Sequence, residues 1–223
     1  MSLILNIDTA TETAQVNFAK DGIVLQSLHN DLQKDHASFL QVAIKQLTQS
    51  AAVLLKDVDA IAVTAGPGSY TGLRVGMASA KGLCYALNKP LIAISTLEVL
   101  TIAAQQNLST PEEILFCPMI DARRMEVFTA IYNQQLIAML DPCAMILQEN
   151  SFDAQLKEHK ITFFGSGAAK WETLCKHPNA SFTNTSNLAA AMAQLSYNYW
   201  LQQRFTNLAY SEPFYLKEFQ DKI

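Results

Sequence analysis

The sequence predicts an α/β protein made of two related halves. Three observations carry that expectation. An apolar run from Leu3 to Asp8 opens a strand, hairpin, strand, helix order that recurs from Ile114 onward. Both opening runs end in an aspartate, Asp8 Thr9 Ala10 Thr11 in one and Asp121 Ala122 Arg123 Arg124 in the other. Between them Ala60–Ala65 passes through Gly66 Pro67 Gly68 Ser69 into a helical pattern, and a further apolar run follows Lys89 Pro90. Strand and helix signals in this order point to layered α/β halves with a cleft between them.

Residues 9–13 read as a turn after the first strand, Ala14–Ala19 alternates apolar and polar, and Ile23–Leu28 supplies a third strand after Asp21 Gly22. Asp35 is placed to cap a helix from about His36 to Leu55. Its stripe of Leu40, Ile44, Leu47, Ala51 and Leu54 is widened by Phe39, Val42 and Val53. A stripe that broad packs on two sides, either both within the chain or one against a partner. The helix from Thr71 to Leu87 carries Gly72, Gly76 and Gly82, each costing about 1 kcal/mol relative to alanine in a helix interior. Such positions need a tertiary reason, the close approach of a strand, a helix or a partner's helix. Gly72, Gly76 and Ala80 recur every four residues beside an apolar row of Leu73, Met77 and Cys84. That low ridge either rests on its own sheet or forms half of a four-helix bundle with a partner of the same fold.

In the second block Ile114–Ile120 and Glu126–Tyr132 precede a polar turn at Asn133–Gln135 and a short apolar run, Leu136–Leu140. Ile161–Phe164 then leads into Gly165 Ser166 Gly167 Ala168. Leu188, Met192, Leu195 and Tyr199 mark a late helix, and Glu212–Lys217 reads as an extended tail. Residues 1–103, completed by about 187–223, are expected to form the first lobe, and 104–186 a smaller second one.

Half of the 223 residues are hydrophobic, enough for a real core. A net charge of -4 and a pI near 5.5 provide no general attraction for phosphate backbones. Cys84, Cys117, Cys143 and Cys175 are scattered with no CxxC pair, which argues for reduced thiols in a cytoplasmic protein rather than a zinc site. No secretory or membrane-spanning segment is visible. Ser69 sits in a glycine loop, but Gly-Pro-Gly-Ser-Tyr-Thr-Gly is not the Gly-x-Ser-x-Gly of a nucleophile elbow. Ser69 or Thr71 is better read as a helix cap.

The phrase Gly66–Gly76, followed by Ala80 Lys81 Gly82 Leu83, resembles the signature of the TsaB (YeaZ) family. Leu5–Thr11, Ser95–Glu98, Asp121–Val127 and Glu212–Lys217 are similar to that family as well, in the same order along the whole chain. Tyr70 stands where phenylalanine is commoner, and Lys217 where arginine is. The resemblance implies a duplicated actin-like, Hsp70-like, sugar-kinase-like (ASKHA, RNase H-like) fold with two lobes. It also implies a non-catalytic scaffold and dimerisation partner for the TsaD transferase subunit in making N6-threonylcarbamoyladenosine at position 37 of tRNA. A TsaE-like ATPase would join the assembly, and tRNA would be met only through it.

The catalytic paralogue holds a metal with two histidines one helical turn apart. Here His36 is followed four residues on by Leu40, and His29, His159 and His177 make no such pair. The expectation is therefore no catalytic residue and no metal. The rival readings are a glycoprotease-like metallopeptidase and a sugar-kinase-like ATPase.

Asp8, Thr9, Thr11, Asp121, Gly165 and Gly167 stand where actin-like ATPases handle nucleotide. No glycine follows Asp8 and the P-loop is absent, so these residues either cap loops or share a weakly held ATP or ADP at a partner interface. In the family the first two long helices form the dimer surface. This makes Leu40, Ile44, Leu47, Gly72, Leu73, Gly76, Met77 and Ala80 the expected interface, with a TsaD-like paralogue or, for the chain alone, a second copy.

Overall fold

β1 (Leu3–Asp8) lies at the centre of a five-stranded sheet, antiparallel to β2 (Ala14–Lys20) and parallel to β4 (Ala60–Gly66). β3 (Ile23–Asn30) extends the sheet beyond β2, and β5 (Leu91–Ser95) beyond β4, in the order β3-β2-β1-β4-β5. A second sheet has β6 (Ile114–Asp121) at its centre. β7 (Glu126–Tyr132) and β8 (Ala138–Ile146) run antiparallel on one side, and β9 (Lys160–Phe164) and β10 (Ala180–Phe182) run parallel on the other. Its order, β10-β9-β6-β7-β8, is the first sheet's order with each strand replaced by its counterpart five later. The duplication read from the two aspartate-ended strands is thus a duplication of topology. This computed structural model describes residues 1–31, 36–108 and 113–217.

Helices α1 (His36–Ser50), α2 (Tyr70–Leu87) and α3 (Thr96–Asn107) follow β3, β4 and β5. α4 (Asp153–Glu158), α5 (Ala168–Leu174) and α6 (Leu188–Leu201) follow β8, β9 and β10. Residues 1–99 with 187–214 form one unit, and 100–186 with the tail from 215 form the other. The tail therefore does not stay whole with the first lobe as expected. Phe214 N donates to Ala65 O at 2.6 Å, whereas Lys217 Nζ reaches Glu126 Oε2 at 2.9 Å.

In the first unit Leu5 and Ile7 of β1 and Val16 and Phe18 of β2 point to one face. They are sealed by Leu40, Ala43, Ile44 and Leu47 of α1 and by Met77, Ala80 and Cys84 of α2. Helix α6 packs on the other face with Ala191, Met192, Leu195 and Tyr199 buried. In the second unit Phe152, Phe163 and Trp171 meet edge-on or tilted at centroid distances of 5.1–6.0 Å and anchor the core.

α1 ends at Ser50, short of the expected Leu55. Ala52 takes a left-handed φ of 51° and Leu55–Asp57 forms a 3-10 turn, which leaves Leu54 exposed. The expected cap, Asp35, lies outside the described residues. β8 begins two residues later than the Leu136–Leu140 run, because Leu136 sits in the preceding turn at φ 60°, and it continues to Ile146. Helices α3, α4 and α5 and strand β10 had no clear sequence signal. α4 and α5 span fewer than two turns each, too short for a 3.6-residue period to register.

Candidate functional site

The glycine-bearing loop from β4 into α2 folds onto the turn that leaves β1. Ser69 caps α2, its Oγ accepting from Gly72 N at 3.3 Å, and its own N–H donates to Ala10 O at 2.7 Å. Thr9 Oγ1 donates to Gly72 O at 2.7 Å. A Cβ on Gly68 would strike Ala10 O, one on Gly72 would strike Thr9 O, and one on Gly76 would strike Thr9 Oγ1. These glycines are spaces into which the chain's own β1–β2 turn fits.

The expected interface residues are consequently interior. Leu40, Ile44, Leu47, Leu73, Met77 and Ala80 are each under 5% exposed, and Gly72 and Gly76 are buried with them. Assigning these eight residues to a partner is corrected: they form the inner faces of α1 and α2 against β1, β2 and β4. The physical reason is that the ridge lowered by Gly72 and Gly76 is what lets α2 settle against Thr9 and Val63. A substitution at Gly76 would damage the fold, not leave it intact.

The outer faces of the same helices remain open. Gln41 Nε2 of α1 donates to Ser79 Oγ of α2 at 3.1 Å and ties the pair together. Exposed on the two helices are Val42 of α1, at 56%, and Tyr85 of α2, at 84%, with a row of small exposed residues, Ala78, Gly82 and Ala86, four apart on α2. Among the described residues a Cβ added at Gly82 meets nothing within 4 Å, so no contact among them accounts for this glycine. In the sequence Gly82 stands outside the four-residue repeat of Gly72, Gly76 and Ala80. The signal that separates the two rows is that only one of them also carries a large exposed ring.

The nucleotide candidates are engaged in the fold. Asp8 is 1% exposed and its Oδ1 accepts from Thr64 Oγ1 at 2.8 Å and from Ala10 N at 3.1 Å. Thr9 is spent on Gly72, and Thr11 Oγ1 makes a long contact of 3.5 Å to Thr13 O. The amides of Ala10, Ser69, Gly72 and Leu73, which a phosphate cradle would need, all donate within the chain.

In the second unit Asp121 N donates to Ser166 Oγ at 3.1 Å, and Asp121 Oδ1 accepts from Lys170 Nζ at 2.7 Å and Arg123 N at 2.6 Å. Partial burial pushes the Asp121 carboxyl up, but the Lys170 and Arg123 hydrogen bonds and the Lys170 charge outweigh it and hold the group below the usual carboxylate value. Gly165, at φ 95°, and Gly167 are required by the close approach of Met119 and Val127. Among the described residues no three His, Cys, Asp or Glu side chains gather to hold a metal. Burial raises the thiols of Cys84 and Cys117 to about 12, too high for ready thiolate chemistry at neutral pH.

Two sheets of one topology, each flanked by helices, define the duplicated architecture of sugar kinases and actin-like ATPases. A polyphosphate/ATP-glucomannokinase from Arthrobacter superposes with a TM-score of 0.52 at 9% identity over 91% of this chain and all of that one, a likeness of fold alone.

The chain belongs to the family whose model is described as TsaD, tRNA N6-adenosine threonylcarbamoyltransferase, which matches residues 28–218, and within it to the TsaB (YeaZ) branch. It is similar to the tRNA threonylcarbamoyladenosine biosynthesis protein TsaB of Escherichia coli, 28% identical over 96% of this chain and 94% of that protein. The same-named protein of Bacillus subtilis is 33% identical over 58% of this chain and 55% of its own length. YeaZ from Pseudomonas aeruginosa superposes with a TM-score of 0.78 at 28% identity, over 97% of this chain and all of that one.

Proposed function

We propose that this chain is a non-catalytic subunit of a tRNA threonylcarbamoyladenosine-forming assembly, docking through the outer faces of α1 and α2 onto a TsaD-type transferase of related fold. The observation that carries the reading is Gly82. It sits mid-helix beside Tyr85, with neither a neighbour among the described residues nor a turn to justify it, and costs about 1 kcal/mol relative to alanine. A partner helix seated on the Ala78, Gly82, Ala86 row would use the missing side chain for close approach, and Val42 and Tyr85 would supply apolar anchors.

In this reading the reactive groups belong to the partner. A TsaE-like ATPase and tRNA join only once the pair has formed, and any ATP or ADP is held weakly where the subunits meet. In the absence of the transferase the same face pairs two copies of this chain. No helix among the described residues is long and apolar enough to cross a membrane, and we place the assembly in the cytoplasm.

The test mixes the chain with the TsaD and TsaE homologues of its own organism and measures modified tRNA with each component left out in turn. Val42→Glu and Tyr85→Glu, both on solvent-exposed positions, are expected to abolish co-elution with the transferase while the circular dichroism spectrum stays unchanged. Retained pairing in both variants refutes the surface. Modification of tRNA by this chain unaided refutes the non-catalytic role.

A further inference from the structure

The turn between β6 and β7 places two arginines side by side in left-handed backbone, Arg123 at φ 71° and Arg124 at φ 46°. Left-handed positions in hairpin turns favour glycine, asparagine or aspartate, because a longer side chain brings its Cβ against the following carbonyl. Two consecutive arginines there hold a backbone conformation that is unfavourable for both. Both are exposed, so packing does not repay that cost.

Charge pairing does not repay it either. The acids flanking the turn are each taken by a lysine. Lys170 Nζ lies 2.7 Å from Asp121 Oδ1, and Lys217 Nζ lies 2.9 Å from Glu126 Oε2. Lys170 also donates to Glu126 O at 3.3 Å and so braces the two ends of the turn. Arg123 contributes its backbone to the turn, its N–H to Asp121 and its carbonyl to Glu126 N at 3.0 Å, while no hydrogen bond or ion pair involves either guanidinium among the described residues. The local arrangement matches its acids with lysines and leaves two consecutive exposed arginines, with no guanidinium partner among the described residues, on a hairpin whose backbone is braced.

We infer that Arg123 and Arg124 form a phosphate clamp for the sugar-phosphate backbone of tRNA, contributed by this chain to the assembly. The inference rests on the functional reading above. Arginine presents a planar fork of donors that matches phosphate oxygens in pairs, and two on one turn span neighbouring phosphodiesters. The clamp reads no sequence; it positions the substrate. It also reconciles an acidic chain with an RNA substrate, since two neighbouring charges with no acidic partner among the described residues act where a net charge of -4 does not attract.

The experiment uses the assembled pair of this chain and its transferase, with tRNA binding followed by fluorescence anisotropy from low to moderate salt. The double variant Arg123→Asn, Arg124→Gly puts residues suited to left-handed backbone at both positions, so the fold is kept or strengthened. The expected result is tRNA affinity weakened about three- to tenfold near 100 mM salt, and a log-log salt slope shallower by about 1 to 2. Pairing and melting temperature should not fall. Lys56→Gln with Lys176→Gln removes the same charge elsewhere and should leave the slope nearly unchanged.

Unchanged tRNA binding by the arginine variant overturns the clamp, as does an equal effect of the lysine control. Loss of ATP binding or of subunit pairing in place of tRNA binding overturns it in favour of a nucleotide or protein contact. A wild-type pair that fails to form, or forms and does not bind tRNA, overturns the functional reading and the clamp with it.

Discussion

Thr9 Oγ1 donates a 2.7 Å hydrogen bond to the carbonyl of Gly72, and the same hydroxyl occupies the place a Cβ on Gly76 would need one turn further along α2. One short side chain thus fixes how closely the helix approaches the end of β1. Gly76→Ala is expected to destabilise the chain by about 1–3 kcal/mol through overpacking, seen as a lower urea midpoint. Thr9→Ala in that background should recover part of the loss, giving a coupling in the double-mutant cycle that distant sites do not show. Additive costs would mean that the two residues do not share this contact.

Gly82 responds with the opposite sign. Gly82→Ala on the open face of α2 should stabilise the isolated chain by up to about 1 kcal/mol while weakening association with the transferase severalfold. Calorimetric melting of the chain alone and titration of the pair separate the two effects. A destabilised chain would place Gly82 in a contact of its own.

The four thiols should label in two classes. Cys143 and Cys175 are half-buried, whereas Cys84 and Cys117 are buried with thiols raised to about 12. At pH 8 a disulfide reagent is expected to modify Cys175 first and Cys143 more slowly, since burial and the Asp141 charge raise the latter. Cys84 and Cys117 should react only on unfolding. Mass spectrometry of the native protein reads the order directly.

Asp121 carries a pH dependence whose direction follows from its lowered pKa. A carboxyl held below its unfolded value near 3.9 contributes stability above that value, and the contribution is lost as pH falls through the folded pKa. Asp121→Asn should therefore cost stability at pH 7 and nothing once both states are protonated in strong acid. The loss should stay within about 1 kcal/mol, because the Asp121 side chain is 39% exposed and water screens its pair with Lys170. A cost that persists unchanged at low pH would assign it to packing.

The legible parts of the fold were those with a period long enough to register. Leu3–Asp8, Ile114–Asp121 and Glu126–Tyr132 were visible as strands, and the stripe of Leu40, Ile44 and Leu47 marked α1 as a helix with a buried face. α4 and α5 were not legible, since Leu156 and Trp171 are single anchors in helices of 6 and 7 residues. Within the site, Gly72 and Gly76 were recognised as positions that need a close neighbour, but that neighbour, Thr9, is 67 residues from Gly76 in sequence and its role leaves no local mark. Arg123 and Arg124 were noticed only as part of a phrase, because left-handed φ values at arginine cannot be read from residue type.

By itself the sequence determined that the chain is built twice on one plan, that α2 must meet something at close range, and that no histidine pair equips it for metal chemistry. Tertiary structure alone decided which side of α2 does the meeting. Helical periodicity states which residues share a face, not what stands opposite. With one small-residue row at Gly72, Gly76 and Ala80 and another at Ala78, Gly82 and Ala86, only the tertiary structure shows that the first is buried beneath Thr9 and β1 and the second is exposed.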